Sequence, residues 1–501
     1  MTATNQLVSN STDGGADLFD TLLMLFTHRH SKDLHERQIA TIIRLCKKYR
    51  EGFYVNDLKR LNQILGFVSA LLSEGFNYFI GPTCQILKVC CQPFVKETAS
   101  EEYRNFSHLC ETVMLIGRFL GSSDLGLQNA AGEMLVTYAS TPYVEDGQAA
   151  PVSYHHQILE KSQVADSLAV GFGVRGAESA DRNTFMLLLR LSLELSRTPE
   201  LCGQLLRAGC LPAILDAIGL GFKTEAASMA VEVLWNALDT AVRAVASGAP
   251  PPDGLDADAV VGALCGLLEA LLQDGHRAQD KQLRNEALVL CQLCAAHLPE
   301  SRAAFASSGL LHPLLTAAVA AETGAPGVKP FVVTAAPEDV EFKLGVLHLA
   351  AVLAADPACA AALSAHPTFA AGLLVHLDGR LADSPARARF SRPQSRQIQA
   401  RALAALSRLA ALDPAGFRAR GGPGVVLELL VEQSEESIRS GCLALLAAAA
   451  AAAPELREEF GSRAVAMMVA PPRPHPHIRI RAEARESEKG GGREKERVRG
   501  K

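Results

Sequence analysis

The sequence predicts an all-α fold, specifically an armadillo/HEAT-like α-solenoid with a disordered C-terminal tail. Ala and Leu dominate a chain of 501 residues in which 48% are hydrophobic and only 5% are aromatic, a mixture that favours helix over strand. Apolar residues recur at helical spacing, and no stretch alternates with period two for long enough to demand a strand. One pattern, a short helix, a turn and then longer helices, returns several times along the chain, as in repeat proteins.

The N-terminal part divides into two segments. Residues 1–16 are mostly polar and are expected to be disordered. Residues 17–198 are predicted to form N-terminal helical repeats, because glycines separate amphipathic patterns of helical period. These patterns cover residues 34–49, 58–72, 78–91 and 103–120.

Residues 199–460 are predicted to form armadillo-like repeats. Each repeat opens with a proline that suits the first turn of a short helix, and a glycine is expected to end that helix. The prolines are Pro199, Pro299, Pro357 and Pro414; the glycines are Gly209, Gly309 and Gly421; and Asp356 and Asp413 stand at N-cap positions. The long packing helices align at 231, 287, 346, 402 and 442, and the last spacing of 40 residues matches an armadillo or HEAT unit of about 40–47. The longer spacings contain Pro/Gly/Ala-rich inserts at 245–254, 321–330 and 381–395, which are expected to loop out.

The C-terminal segment 461–501 is predicted to be a disordered basic tail. Residues 471–501 hold ten Lys and Arg against five Glu, so the remainder of the chain has a net charge of -10. An acidic body gives no electrostatic reason to expect binding to nucleic acid. The cysteines lie beside Leu and Val as in reduced intracellular proteins, and no uncharged apolar run approaches about 18 residues. We therefore expect a cytoplasmic chain without membrane insertion.

No motif predicts a catalytic, cofactor-binding or metal-binding residue, or a small-molecule substrate. Gly171, Gly173 and Gly176 form a GxGxxG string, but a helical segment precedes it where a nucleotide-binding fold requires a strand. We interpret the string as a turn between helices.

One group of residues carries the metal ligand types. Cys291, Cys294 and His297 fall three residues apart, with Cys265 and His276 as conceivable further ligands. The cysteines interleave with leucines, and we therefore interpret them as thiols of the core. With no catalytic or cofactor-binding motif elsewhere in the sequence, we expect no enzyme and no cofactor.

Asn236 beside Trp235 is similar to the residue pairs with which importin-type armadillo grooves hold an extended basic peptide. The chain contains one Trp, so such pairs cannot repeat along a groove. We interpret Trp235 as a core residue.

Four strings carry a resemblance to a known family. They are KVCCQPF at 88–94, EVLWNAL at 232–238, DKQLRN at 280–285 and VEFKL at 340–344. In this order and spacing the chain resembles the cilia- and flagella-associated protein 69 family of armadillo-like proteins, over about residues 17–460. Family members continue with further helical repeats, so the resemblance implies a C-terminally truncated or divergent form.

The resemblance implies a non-enzymatic structural protein of the motile cilium and sperm flagellum. It implies a place in the central apparatus of the axoneme, with other central-apparatus proteins as partners, support of flagellum assembly and stability, and a role in olfactory cilia. The alternative is a cytosolic armadillo-type adaptor unrelated to cilia. In either case a long helical surface is expected to bind proteins, with candidate polar positions at Glu232, Gln282, Arg284, Asn285, Gln399 and Arg401.

Overall fold

The computed structural model describes residues 17–28, 32–90, 106–140, 144–145, 148–149, 154–174, 182–324, 333–381 and 383–469. Most of these residues are helical, which confirms the predicted all-α class. The first eight helices are α1 (Leu18–Phe26), α2 (Lys32–Lys48), α3 (Leu58–Ser73), α4 (Ile80–Cys90), α5 (Phe106–Arg118), α6 (Leu125–Ser140), α7 (Tyr154–Lys161) and α8 (Val164–Val174). The next nine are α9 (Arg182–Ser196), α10 (Pro199–Arg207), α11 (Leu211–Gly219), α12 (Glu225–Ala246), α13 (Ala257–Asp274), α14 (Ala278–His297), α15 (Arg302–Ser307), α16 (Leu311–Thr323) and α17 (Pro337–Leu353).

The remaining helices are α18 (Pro357–Ala365), α19 (Phe369–Leu377), α20 (Pro385–Ala388), α21 (Arg392–Leu412), α22 (Pro414–Ala419), α23 (Gly422–Glu432), α24 (Glu436–Ala452) and α25 (Pro454–Val469). Short 3-10 helices cover Val55–Asp57, Asn77–Phe79, Phe119–Gly121, Pro299–Ser301 and Gly379–Leu381.

The predicted starts and stops of the short helices are confirmed. The four repeat-opening prolines all lie in the first turn of a helix or 3-10 helix. Asp356 and Asp413 cap their helices by accepting hydrogen bonds from backbone N–H groups, at 2.9 and 2.8 Å. Gly209, Gly309 and Gly421 adopt positive φ, a conformation that glycine enters without steric cost, and so end the short helices.

The chain forms two compact units, Met1–Phe369 and Ala370–Lys501. In the first unit, one row of helices packs each on the next: α2, α4, α6, α9, α12, α14 and α17. A second row, which contains α3, α5, α10, α13 and α15, covers one side of the first. This stacking of helix pairs is the α-solenoid arrangement that the sequence predicts.

The second unit is built mainly on the pair α21 and α24, against which α22, α23 and α25 pack. The expected boundary between residues 198 and 199, where the N-terminal helical repeats end and the armadillo-like repeats begin, remains a prediction. Helices α9 and α10, on either side of it, pack together within the first unit.

Three details differ from the sequence-based expectations. Val144–Glu145 pairs antiparallel with Gln148–Ala149, a short strand pair in a chain for which no strand was expected. Phe390 is buried although it lies in the predicted insert 381–395, because an aromatic side chain retains enough apolar area to pack. Helix α25 extends to Val469, into the segment 461–501 predicted as a tail, where Ala and Met favour helix. The expected disorder of residues 1–16 and 470–501 lies outside the described residues.

Candidate interaction surface

Polar side chains join successive helices of the first row. The Thr184 hydroxyl on α9 donates to the Asn129 Oδ1 on α6 at 2.7 Å. The Asn236 amide on α12 donates to the Ser196 hydroxyl on α9 at 2.8 Å. Because buried polar groups are costly unless they are paired, these bonds fix which residues of neighbouring helices face each other.

A stronger contact of this kind joins α14 to α17, and it is made of charges. Arg284 and Asp339 have side chains that are 0% and 1% exposed, and their nearest atoms, Nη2 and Oδ1, are 3.3 Å apart. Asp339 also accepts a hydrogen bond from Lys281 Nζ at 3.0 Å and one from the Thr334 hydroxyl at 2.6 Å. The guanidinium of Arg284 lies 4.4 Å from the centre of the Phe342 ring, a cation–π contact.

A second buried ion pair lies close by in the sequence. The side chains of Lys343 and Glu322 are fully buried, with Nζ and Oε2 at 3.0 Å, and Lys343 also donates to the Ala318 carbonyl at 2.6 Å. Glu322 belongs to the insert 321–330 that was expected to loop out, and that expectation is wrong for its first residues because they continue α16. We call Lys281, Arg284, Glu322, Asp339 and Lys343 the charged seam.

Burial and pairing act in opposite directions on the two central residues of the seam, Asp339 and Arg284. Burial by itself raises the pKa of Asp339, but the hydrogen bonds from Thr334 and Lys281 outweigh burial and leave that pKa lowered. Burial lowers the pKa of Arg284, and the attraction of Asp339 opposes this change. Arg284 stays protonated at neutral pH because an arginine side chain loses its proton only far above that range.

The seam corrects part of the predicted binding surface. Arg284 and Asn285 are buried between α14 and α17, where Asn285 donates to the Glu338 carbonyl at 2.8 Å. Gln399, in the second unit, is also buried and donates to the His376 carbonyl at 3.0 Å. These three side chains therefore hold helices together. The other three candidates, Glu232, Gln282 and Arg401, are exposed.

The outward side of the first row carries a repeating pair of residues. In each of the successive helices α6, α9, α12, α14 and α17, one charged residue has two buried residues on either side of it in the sequence. These charged residues are exposed, except for the half-buried Glu286: Glu133, Arg190, Glu232, Glu286 and Glu341. Three positions later each helix presents an apolar side chain that is half-buried or exposed: Val136, Leu193, Trp235, Val289 and Leu344. Residues three apart are neighbours on a helix surface, so an acidic stripe runs beside an apolar stripe across the row. We call the four acid–apolar pairs on α6, α12, α14 and α17 the row face; Arg190 on α9 interrupts it.

The row face has an excess of negative charge. Basic side chains beside it already have acidic partners within 2.9 Å: Arg190 with Glu225, Arg197 with Glu194, and Arg243 with Asp239. Within the described part of the chain, Glu232, Glu286 and Glu341 take part in no ion pair. Burial raises the pKa of Glu194, an effect that Arg197 opposes and the nearby Glu232 strengthens. Adjacent carboxylates at this surface therefore repel one another and would be stabilised by added positive charge.

Trp235 lies on the row face and is 39% exposed, so the interpretation of Trp235 as a core residue is wrong. The buried stripe of α12 contains Val231, Leu234 and Leu238. Trp235 follows Leu234 by one residue, about 100° around the helix, and this rotation carries it out of the buried stripe. A large exposed aromatic side chain is typical of a binding surface.

The glycine string is neither a nucleotide site nor, in its described part, a turn. Gly171 and Gly173 lie inside helix α8, and Gly176 lies outside the described residues. A side chain at Gly171 would begin 3.1 Å from the carbonyl oxygen of Leu120, to which Gln128 donates a hydrogen bond at 2.6 Å. The glycine thus allows a close approach of two backbones.

The cysteine group is part of the core, as predicted. Cys265, Cys291 and Cys294 are buried, and burial raises the pKa of Cys294 to about 12. A hydrogen bond with Cys265 is the main cause that raises the pKa of Cys291, followed by burial. His276 is exposed and His297 half-exposed. Among the residues that the structure describes, no three His, Cys, Asp or Glu side chains are placed to hold a metal ion.

In the described ranges, no single helix has both the length and the apolar character needed to cross a membrane. Three pairs of consecutive helices have that length and composition when the two helices of a pair are counted as one segment. Within each pair the two helices are bent relative to each other by 72–87°.

Comparison with known proteins gives one family match and several relatives. The family model described as "Cilia- and flagella-associated protein 69, ARM repeat" matches residues 17–437. Cilia- and flagella-associated protein 69 of Homo sapiens is 23% identical over 291 residues, which is 56% of this chain and 29% of the relative. The Mus musculus protein of that name is 23% identical over 271 residues, 52% of this chain and 27% of the relative. The matched region thus spans less than a third of each relative.

Among solved structures, UNC-45 from Drosophila melanogaster aligns with a TM-score of 0.43 at 10% identity, covering 91% of this chain and 59% of that protein. An engineered protein aligns with a TM-score of 0.42 at 16% identity, covering 89% of this chain and 92% of that one.

Proposed function

The chain belongs to the armadillo-repeat family of cilia- and flagella-associated protein 69, and from this we propose that it is a non-enzymatic scaffold of the motile cilium and sperm flagellum. Its place is the central apparatus of the axoneme, where it supports flagellum assembly and stability by binding other central-apparatus proteins. A role in olfactory cilia belongs to the same proposal. Nucleic acid and small-molecule substrates are not among its partners.

The observation that supports a scaffold most strongly is the row face. Surfaces that extend across several stacked helices bind proteins through many separate contacts, without catalytic chemistry. The row face repeats one arrangement of acidic and apolar side chains on four helices. The buried charged seam holds two of these helices, α14 and α17, in a fixed register. A surface of fixed spacing suits a structural protein of a regular assembly.

A tagged copy of the chain in multiciliated or spermatogenic cells tests this proposal. We expect the protein to enter the cilium or flagellum, to remain with the detergent-insoluble axoneme and to co-purify with central-apparatus proteins. Deletion of residues 471–501 is expected to leave retention intact. A soluble, folded protein that stays diffuse in the cytoplasm would favour the cytosolic adaptor instead.

A matched pair of variants connects retention to the helical stack. Leu234 is fully buried in α12, so Leu234→Asp places a charge in the core and is expected to abolish both solubility and axonemal retention. Ala303→Asp adds the same charge at an exposed position of α15, outside the first row, and is expected to preserve both. Equal retention of the two variants would show that retention does not depend on the folded repeats.

A further inference from the structure

We propose that the row face binds an amphipathic helix of a partner protein whose Lys or Arg side chains recur every seven residues beside a stripe of apolar side chains. This proposal rests on the scaffold function above and specifies the chemistry of its partner. It concerns mainly the three consecutive helices α12, α14 and α17. Their acid–apolar pairs are Glu232 with Trp235, Glu286 with Val289, and Glu341 with Leu344.

The charges determine the sign of the partner. In the described residues none of the three glutamates forms a direct ion pair, although Glu341 adds to the electrostatic attraction on the buried Arg284. The exposed arginines nearby are already paired with other acids. Glu286 accepts a hydrogen bond from Gln282 at 2.9 Å and Glu341 one from Asn285 at 3.0 Å, so neutral amides orient these carboxylates without cancelling their charge. A cationic segment is attracted to such a surface, whereas nucleic acid and anionic lipid are repelled.

The spacing determines the conformation of the partner. Packed helices lie about 8–10 Å apart, so equivalent residues on neighbouring row helices repeat at about that distance. A helix lying across the row rises about 10.5 Å in seven residues and so presents one cation to each glutamate. Residues on one side of an extended strand repeat at about 6.7 Å, which does not match.

The apolar stripe determines where the partner's apolar residues lie. On each row helix the apolar residue lies three positions after the acid, so the two stripes are parallel and separated by less than one helical turn. A partner helix with Lys at position i and Leu at i+3 of each heptad presents two parallel stripes with a similar offset. Trp235 supplies the largest apolar contact, because it has the largest side chain of the stripe and the residue is 39% exposed.

Binding of a designed peptide to the purified full-length chain tests the inference. The probe is a fluorescein-labelled helix of three Lys-Ala-Gln-Leu-Ala-Ala-Gln heptads, and the control peptide carries Glu in place of each Lys. In fluorescence anisotropy at low salt, we expect the lysine peptide to bind at least about tenfold more tightly than the control, and salt to weaken it. Trp235 is the single Trp of the chain, so unlabelled lysine peptide is also expected to change the tryptophan emission.

Two triple variants with the same change of charge locate the site. Glu232→Gln, Glu286→Gln and Glu341→Gln together are expected to weaken the lysine peptide about tenfold, because three favourable ion pairs are lost. The matched control changes exposed glutamates outside the row: Glu200→Gln, Glu269→Gln and Glu300→Gln. The control is expected to bind like the wild type. Equal weakening of both variants, or an unchanged tryptophan emission, would overturn the proposal.

Other occupants give different results. If deletion of residues 471–501 raised the affinity for the lysine peptide about tenfold, the chain's own basic tail would occupy the row face, and the assignment to a partner would be wrong. Binding to phosphatidylserine vesicles without binding to the peptide would also overturn it. A wild-type chain that binds the peptide but does not enter the cilium would refute the ciliary proposal and leave this one standing.

Discussion

Replacement of Asp339 by leucine removes the carboxylate that joins α14 to α17 in the charged seam. Asp339 is the counter-charge 3.3 Å from the fully buried Arg284, and it also accepts from Lys281, which is 24% exposed. Removal of one partner of a buried pair costs about 3–5 kcal/mol, because the other charge stays in a poorly solvated site. Lys281 is able to return to water, so its lost pair contributes only about 0–1 kcal/mol. We therefore expect Asp339→Leu to destabilise the first unit by about 3–5 kcal/mol.

Thermal unfolding of the full chain, followed by circular dichroism at 222 nm, measures this effect. At about 2–4 °C per kcal/mol for domains of a few hundred residues, we expect Tm to fall by at least about 5 °C. The exposed residue Asp216 on α11 provides the control, and Asp216→Leu is expected to change stability by less than about 0.5 kcal/mol.

A double variant separates the loss of charge pairing from the loss of shape. Asp339→Leu combined with Arg284→Met removes both buried charges, so we expect it to recover at least half of the lost stability. If Asp339→Leu melted within about 1 °C of the wild type, or if the two substitutions had simply additive costs, the buried pair would not be what stabilises this junction.

Three further predictions concern fold, metal and pH. Circular dichroism of residues 17–460 is expected to be dominated by helix, and a spectrum rich in β signal would contradict the structure. The purified chain is expected to carry no stoichiometric zinc, and bound zinc that is lost on Cys294→Ser would contradict that. Burial lowers the pKa of His366, whose Nδ1 accepts a hydrogen bond from the Phe369 N–H at 3.1 Å. As the pH falls, the unfolded state therefore takes up a proton at this histidine before the folded state does. We expect Tm to fall as the pH drops below about 6.5, the pKa of an unperturbed histidine. His366→Asn, which retains an acceptor for that N–H, is expected to reduce this pH dependence, as melting curves at pH 7.5 and 5.5 would show.

The sequence predicts the local features of this fold well, because each depends on neighbouring residues. A proline fixes φ in a first turn, an aspartate caps the N–H groups that follow it, and a glycine adopts positive φ. Pro357, Asp356 and Gly209 illustrate these three cases. Helical periodicity likewise predicts the buried stripe of α17, from Phe342 to Leu353.

The sequence predicts the surface less well, because residue type alone does not tell which helix faces a given position. Arg284 and Gln399 are polar and were expected outside, yet each lies between helices and donates a hydrogen bond to a residue of a neighbouring helix. Trp235 is apolar and was expected inside, yet it lies one residue beyond the buried stripe. A signal for the row face was present, since an acid followed three residues later by an apolar side chain recurs on four long helices. It becomes meaningful only when packing places those helices side by side.

The strings that carry the family resemblance contain two kinds of residue, which call for different experiments. Asn236, Arg284 and Lys343 make polar contacts between helices, and a buried polar group allows few replacements because its partner would lose its hydrogen bond. Buried leucines exchange more freely with other apolar residues of similar volume, so a resemblance confined to short strings suits this packing.

Glu232 and Trp235 lie in one of the same strings but face outward, and they form none of these inter-helix contacts. Substitutions in the seam are therefore expected to change Tm, and any loss of binding that they cause follows from unfolding. Substitutions of Glu232 and Trp235 are expected to change binding at constant Tm. A variant of Glu232 that lost both stability and binding would show that this division between structural and binding residues is wrong.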